Sequence, residues 1–150
     1  MRAVLQRVSK ASVIIGNHVN AVCEEGLLVF LGIEHEDSKE DIEWLCRKII
    51  NMRIFGDDQG AMNLSLKDID GEAIIVSQFT LHASTKKGNR PSFIQSAKPE
   101  IAKPLYQDFV SAFEIAFEKN VGTGEFGADM RVELVNNGPV TILLDSKDKR

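Results

Sequence analysis

The chain opens with the run Arg2-Ala3-Val4-Leu5-Gln6-Arg7-Val8, and this run decides the fold class. In an extended chain, alternate residues point to opposite faces. From residue 3 onward each face carries apolar side chains and one polar residue, Gln6 or Arg7, so the alternation is imperfect. Such a pattern predicts a half-buried strand of a barrel or sandwich.

Further strand signals follow along the chain. Short apolar segments separated by turn-forming residues such as Gly16-Asn17 and Gly26 predict strands. The predicted strands cover residues 11–15, 19–23, 27–33, 73–81, 130–135 and 140–144, with a turn at 136–139 before the last of them. Since strands come first and helices interrupt them without strict alternation, we expect mostly antiparallel pairing.

Two segments have the spacing of amphipathic helices. Ser38 and Asp41 resemble a capping box, and apolar residues recur behind them at helical spacing, which predicts a helix from Lys39 to Asn51. A second helix is predicted to start near Pro104, because proline suits a first turn. Its apolar stripe consists of Leu105, Phe109, Ala112, Phe113, Ala116 and Phe117.

Length and composition fit one domain, residues 1–150. A chain of 150 residues with 43% hydrophobic residues buries enough surface to fold without a metal or a disulfide. The fold class predicted is α+β, with mostly antiparallel sheets forming a barrel-like core and two main helices. No segment approaches the length of a membrane span, and the first residues lack a cleavage signature, so we expect a cytoplasmic protein without membrane contact.

The net charge of −4 argues against a protein that coats nucleic acid by bulk electrostatics. Any contact with RNA must therefore be local. The densest basic patch is Lys86-Lys87-Gly88-Asn89-Arg90, which is either a solvated turn or a local RNA contact.

The spacing of the cysteine, histidine and glycine residues does not predict a metal or cofactor site. Cys23 and Cys46 form no C-x-x-C pair, and His18, His35 and His82 fall at no metal-binding spacing. We therefore predict reduced structural thiols, no metal and no cofactor. The glycines of segment 122–127 match G-x-G-x-x-G, but they follow a predicted helix rather than a strand, which favours a helix stop and turn over a nucleotide site.

Two features near the predicted strand ends have alternative interpretations. Alternation would place Gln78, Thr80 and His82 on one strand face, which suggests a Thr/His nucleophile pair, although a histidine at a strand end is more often merely exposed. Gly138-Pro139 is either an ordinary hairpin corner or a cis-proline turn with a specific role.

Several segments together resemble the D-aminoacyl-tRNA deacylase family. The resemblance extends over nearly the whole chain and rests on five blocks in order: residues 1–8, 77–81, 87–93, 126–130 and 137–141. Both family signatures, S-Q-F-T-L at 77–81 and N-x-G-P-V-T at 136–141, are intact. The loop near Ser84 departs from the family pattern, since an acidic residue is expected there.

The resemblance implies an enzyme that hydrolyses the ester bond of D-aminoacyl-tRNA and also admits glycyl-tRNA. It implies a homodimer in which Gly138 and Pro139 of one chain, joined by a cis bond, enter the active site of the other and exclude L-amino acids. The catalytic residues implied are Ser77, Gln78 and Thr80, and the substrate-binding residues are Phe79, Gly138 and Pro139. The partner implied is aminoacyl-tRNA.

Two questions stay open at this point. Thr80 is either a nucleophile or a residue that positions substrate while the 2′-hydroxyl of the tRNA activates water; we favour positioning, because no strong base adjoins it in sequence except His82. The rival function classes are a different small hydrolase or nucleotide enzyme that uses Gly122 to Gly127, and a non-catalytic RNA-binding or dimeric interaction module.

Overall fold

The computed structural model describes residues 1–149, which form a mixed, nearly closed sheet and two α-helices. In chain order the elements are β1 (Arg2–Ile15), β2 (His18–Cys23), β3 (Gly26–Gly32), α1 (Lys39–Asn51), β4 (Phe55–Gly56), β5 (Met62–Leu64), β6 (Glu72–Ser77), a 3-10 helix (Phe79–His82), α2 (Pro99–Phe117), β7 (Gly122–Thr123) and β8 (Met130–Asp145). Within residues 1–149, no helix is long and apolar enough to cross a membrane. The predicted α+β class and barrel-like core are confirmed.

Strand β1 organises the main sheet. The strand order is β2-β1-β3-β6-β7, and β8 also pairs with β1. Pairing is antiparallel around β1, whereas β3 with β6 and β6 with β7 are parallel. The prediction of two short strands over 2–8 and 11–15 is wrong, because β1 runs through both. Irregularities between Gln6 and Lys10 let the strand bend without ending.

Strand β3 lies between two apolar clusters. Leu27, Val29 and Leu31 belong to the cluster that both helices cover, and Leu28 belongs to the cluster on the other face of the sheet. Because both of its faces are covered, nearly every residue of β3 is buried. The end of β3 is therefore held firmly in the core and supports the segments that pack beside it.

The two helices follow the predicted spacing, with one correction. α1 has the predicted bounds, and the backbone N–H of Ser38 donates to Asp41 Oδ2 at 2.8 Å. α2 begins at Pro99 rather than near Pro104. Pro99 already provides the first-turn proline. Pro104 has no N–H to donate to the carbonyl of Glu100, but Glu100 is exposed, so solvent can satisfy that carbonyl.

Both cysteines are free and buried. Burial raises the pKa of Cys23 to about 11 and the pKa of Cys46 to about 12. Both side chains are therefore protonated at neutral pH and pack as small apolar groups, which confirms the predicted structural thiols.

The buried carboxylate of Asp41 couples stability to pH. Burial opposes its charge, but hydrogen bonds from Lys147, at 2.8 Å, and from Ser146 hold the pKa of Asp41 well below its usual range. A carboxyl whose pKa is lower in the folded than in the unfolded state stabilises the fold at pH values above its unfolded pKa. This contribution is lost as the pH falls from the unfolded pKa through the folded pKa.

We therefore expect Asp41→Asn to reduce the free energy of unfolding at pH 7 by about 1–3 kcal/mol. The difference from the unaltered protein should shrink as pH falls below the ordinary carboxyl value of 3.8. Urea unfolding between pH 3 and 7 measures both quantities. As a control, Lys67→Gln breaks the exposed Lys67–Glu118 pair and should change stability by less than about 1 kcal/mol. An equal cost of Asp41→Asn at pH 3 and pH 7 would contradict this account.

Candidate active site

The predicted strand 73–81 ends early, and this end shapes the site. β6 stops at Ser77, and the N–H of Gln78 still donates to the carbonyl of Leu31 at 2.7 Å. Beyond this bond β3 itself ends at Gly32, so the chain has no further partner strand and turns into the 3-10 helix. The prediction that residues 78–81 are extended is therefore wrong.

This turn separates Thr80 from His82. Thr80 is exposed, whereas His82 is completely buried, with its Nδ1 2.9 Å from Glu34 Oε1. The contact lacks hydrogen-bond alignment, and neither His82 Nδ1 nor Nε2 has a hydrogen-bond partner within residues 1–149. Both earlier interpretations of His82, as an exposed residue and as a base facing Thr80, are wrong.

An apolar cavity of about 530 Å³ lies beside the 3-10 helix. The end of β3, the start of α2 and the segment 126–128 form its other walls. Its lining consists of Leu31, Ile33, Ser77, Gln78, Phe79, Phe93, Ser96, Ala97, Pro99, Ala102, Phe126, Gly127 and Ala128. Three of the predicted site residues, Ser77, Gln78 and Phe79, thus meet in one cavity large enough for a small organic group.

The 3-10 helix is held at both ends. The Ser96 hydroxyl donates to the carbonyl of Phe79 at 2.8 Å, and the Arg2 guanidinium donates to the carbonyl of Leu81 at 3.1 Å. The ring of Phe79, 56% exposed, meets the ring of Phe93 edge to face at 5.1 Å. The rim of the cavity is therefore a fixed structure with an exposed aromatic surface.

The hydroxyl of Thr80 accepts a hydrogen bond from a neighbouring side chain. Gln78 Nε2 donates to Thr80 Oγ1 at 2.6 Å. Within residues 1–149, no carboxylate, imidazole or amine lies within hydrogen-bond distance of this hydroxyl. A threonine needs an adjacent base to act as a nucleophile, and none is present here.

Gly138 and Pro139 lie apart from the cavity of their own chain. The Gly138–Pro139 bond is cis, and both residues are exposed. Neither residue lines the cavity. The turn predicted at 136–139 is a bulge inside the continuous strand β8, because Gln6 pairs with Thr141 and Val8 pairs with Asn136.

Arg7 fills the space opposite this bulge. Its Nε donates to the carbonyl of Asn137 at 2.8 Å, and its Nη1 donates to the carbonyl of Ile54 at 2.6 Å. A Cβ on Gly138, whose φ is +137°, would lie 2.7 Å from Arg7 Nη2. Arg7 therefore positions the exposed turn, a role that sequence analysis missed. The available signal was a charged residue in a strand that is otherwise largely apolar.

The glycines of segment 122–127 have two roles: Gly122 and Gly124 allow close packing against Ala21 and Met130, and Gly127, with a φ of +80°, lies in a turn. Gly122 and Thr123 form β7, which pairs with β6, and no helix follows them in the described part of the chain, which ends at residue 149. α2 ends at Phe117, and Glu118 adopts the left-handed conformation that caps it. The predicted helix stop at the glycines is therefore wrong. Sequence analysis also assigned no role to Phe126, which forms part of the cavity wall.

No metal centre is visible in the described part of the chain. Among residues 1–149, no group of three or more His, Cys, Asp and Glu side chains lies close enough together to hold a metal ion. Besides backbone N–H groups, the polar groups beside the cavity include the amide of Gln78 and the hydroxyl group of Ser77, which line it, and the hydroxyl group of Thr80 on the adjoining 3-10 helix.

Comparison with known proteins assigns the chain to a family. The family model described as D-Tyr-tRNA(Tyr) deacylase matches residues 4–145. A D-aminoacyl-tRNA deacylase from Christiangramia forsetii is 66% identical over 150 residues, covering 100% of both chains. A D-aminoacyl-tRNA deacylase from Bacteroides fragilis is 57% identical over 149 residues, covering 99% of both chains.

Solved structures share the fold. A structure described as c-Myc DNA unwinding element binding protein superposes with a TM-score of 0.92 at 39% identity, over 97% of this chain and 98% of that chain. A structure described as a probable eukaryotic D-amino acid tRNA deacylase gives a TM-score of 0.81 at 18% identity, over 95% of this chain and 97% of that one. The match to the family model over residues 4–145 and the full-length similarity to the Christiangramia forsetii protein show that the chain belongs to the D-Tyr-tRNA(Tyr) deacylase family.

Proposed function

We propose that this protein hydrolyses the ester bond of D-aminoacyl-tRNA, releasing the free D-amino acid and tRNA. The observation that carries the proposal is an apolar cavity bordered by the first turn of a 3-10 helix, in a chain of this family. Water attacks the ester carbonyl carbon, the bond from that carbon to the ribose oxygen breaks, and the ribose oxygen takes a proton. The residues that act on this ester are Ser77, Gln78, Phe79 and Thr80.

The backbone N–H groups of Phe79 and Thr80 stabilise the oxyanion that develops on the carbonyl oxygen. They are the first two residues of the 3-10 helix, so their N–H groups have no acceptor within it. The N–H of Leu81, in contrast, already donates to the carbonyl of Gln78 at 3.3 Å. Two fixed donors beside an apolar cavity are the arrangement that acyl transfer requires.

Thr80 positions substrate and is not the nucleophile. Its hydroxyl accepts a hydrogen bond from Gln78 and has no adjacent base. Its own proton therefore points to a further acceptor, such as an oxygen of the substrate. The 2′-hydroxyl of the terminal adenosine then orients the attacking water.

Chiral selection comes from the Gly138–Pro139 turn of a partner protomer in a homodimer. The turn is exposed and does not line the cavity of its own chain, which favours a role in a neighbouring one. Its two carbonyls receive the substrate ammonium group and leave no room for an L side chain. Glycine has no side chain, so glycyl-tRNA is also a substrate. The substrate places the enzyme in the cytoplasm.

The proposal is tested by deacylation of one tRNA charged with D-tyrosine, L-tyrosine or glycine. We expect rapid hydrolysis of the D-tyrosyl and glycyl esters and a rate for the L-tyrosyl ester near that of the uncatalysed reaction. Equal hydrolysis of the D- and L-esters would contradict chiral selection, and hydrolysis of neither would contradict the proposed enzyme.

Activity should not depend on a metal ion. The reactive groups proposed here belong to the backbone, to Gln78 and Thr80, and to the tRNA itself. Exhaustive chelation should therefore leave the rate of D-tyrosyl-tRNA hydrolysis unchanged. Loss of activity on chelation that added zinc restores would show that a metal supplies the chemistry.

A further inference from the structure

We propose that a basic rim beside the cavity, formed by Lys86, Lys87, Arg90 and Lys98, binds the phosphates at the 3′ end of the tRNA. The inference rests on the proposed function, because it requires that a terminal aminoacylated nucleoside enter the cavity. It assigns to this segment the RNA contact that the chain needs in spite of its overall negative charge.

The charge of this segment is opposite to that of the whole chain. Residues 81–99 include the four basic residues of the rim and no aspartate or glutamate, whereas the whole chain has a net charge of −4. A local cluster of cations attracts phosphates even when the rest of the surface repels them. RNA is therefore directed to this edge of the cavity.

The cations of the rim are available to an external anion. Elsewhere, Lys67 and Lys147 lie 2.6 Å and 2.8 Å from carboxylate oxygens. In contrast, the exposed side chains of Lys86, Lys87 and Arg90 form no ion pair or hydrogen bond with any residue of the range 1–149. Binding a phosphate there breaks no existing ion pair.

The loop that carries these cations is anchored to the cavity wall. Ser84 and Ser92 close the loop with two backbone hydrogen bonds of 2.8 Å and 2.9 Å. The next residue, Phe93, lines the cavity and contacts Phe79. Arg90 is three residues from Phe93, so their Cα atoms lie within about 11 Å of each other.

The rim also continues at the start of α2. Lys98 stands between Ala97 and Pro99, both of which line the cavity, and its side chain is exposed. A nucleoside held in the cavity must send its preceding phosphates out past this edge. Those phosphates then meet Lys98 and the loop cations.

The test compares two substrates that differ in their phosphates. The variant K86Q/K87Q/R90Q is assayed with D-tyrosyl-tRNA and with D-tyrosyl-adenosine, which carries no phosphate. The loss of kcat/KM on the tRNA should exceed the loss on the adenosine ester by about tenfold or more, chiefly through KM. Raising the salt concentration from 50 to 200 mM weakens the binding of uncharged tRNA to both proteins. The factor by which affinity falls should be about 20- to 40-fold smaller for the variant than for the unaltered protein, as expected for three lost phosphate contacts.

A matched control removes the same charge elsewhere. The variant K39Q/K48Q/K149Q also loses three positive charges, but these residues are not on the loop that Phe93 joins to the cavity wall: Lys39 and Lys48 lie on α1, and Lys149 contacts the ring of Trp44. It should retain the activity on tRNA and the salt dependence of the unaltered protein. If both triple variants lost the same activity on tRNA, the loss would be due to the change in net charge alone, and the proposal would be overturned.

Two further outcomes would overturn the proposal: equal losses on both substrates for the loop variant, or no loss on either. Failure of the proposed function is distinguishable. If the unaltered protein hydrolyses neither ester, the enzyme assignment fails. The binding of uncharged tRNA then tests by itself whether the basic rim contacts RNA. Weaker, less salt-dependent binding by the loop variant then supports the rim, and unchanged binding refutes it.

Discussion

Replacing the 2′-hydroxyl of the terminal adenosine with hydrogen is expected to reduce D-aminoacyl-tRNA hydrolysis by about a thousandfold or more, a loss of about 4 kcal/mol of transition-state stabilisation. The reason is the environment of Thr80. Its hydroxyl accepts a hydrogen bond from Gln78 and has no base beside it within residues 1–149, so the proposed mechanism assigns the orientation of the attacking water to the substrate's own 2′-hydroxyl. Single-turnover rates on tRNA ending in adenosine or in 2′-deoxyadenosine, each acylated at the 3′ oxygen, measure this loss.

Thr80→Ala provides the matching measurement on the protein. Loss of one positioning hydrogen bond should slow the reaction by about tenfold, equivalent to about 1.4 kcal/mol. Thr80→Ser, which keeps the hydroxyl, should recover most of the rate. An inactive Thr80→Ala enzyme together with full activity on the deoxy substrate would make Thr80 the nucleophile and contradict the mechanism proposed here.

Gly138→Ala is expected to reduce D-aminoacyl-tRNA hydrolysis by about a hundredfold or more while the protein stays folded. The new Cβ would lie 2.7 Å from Arg7 Nη2 and 2.9 Å from Val140 Cγ2. The backbone φ of +137° is also unfavourable for alanine. Either the turn or Arg7 must move, so the two carbonyls no longer point where the substrate ammonium needs them. A hundredfold loss corresponds to about 2.7 kcal/mol.

Gly60→Ala separates this effect from general destabilisation. Gly60 also has a positive φ, of +80°, but a Cβ there meets nothing within 4 Å. Both variants should lose about 1–3 kcal/mol of stability from backbone strain. Only Gly138→Ala should lose activity and D-over-L preference. A Gly138→Ala protein with full activity and full preference would show that the turn does not select the substrate.

The fold was predictable where local pattern and packing agree. α1 has the predicted bounds because its apolar spacing, its capping residues and its position over the sheet favour the same helix. The length of β1 was not predictable, since local sequence suggests a break near Ser9 and Lys10. Strand β8 pairs on both sides of this point, Val8 with Asn136 and Lys10 with Val135, and so keeps these exposed residues in an extended chain.

The site was predictable in composition but not in geometry. Ser77, Gln78 and Phe79 were identified by resemblance and lie together at one cavity. The alternation that paired Thr80 with His82 failed, because β3 ends at Gly32 and leaves residues 79–82 without a partner strand. The end of β3 was predicted to within one residue, but its pairing with β6 was not. Arg7 was missed for a similar reason: its partners, Ile54 and Asn137, are distant in sequence.

The most direct test of the central claim, a cavity completed by the turn of a partner protomer, uses mixed dimers of two impaired variants. Gln78→Trp blocks the cavity, whose wall includes Gln78, and leaves the turn intact. Gly138→Ala distorts the turn and leaves the cavity intact. After subunit exchange at equal concentration, half of the dimers are mixed and each contains one intact site. Hydrolysis of D-tyrosyl-tRNA should therefore recover to about one quarter of the unaltered rate. No recovery in spite of demonstrated exchange would contradict the shared site, because a turn that serves its own chain leaves every site in the mixture impaired.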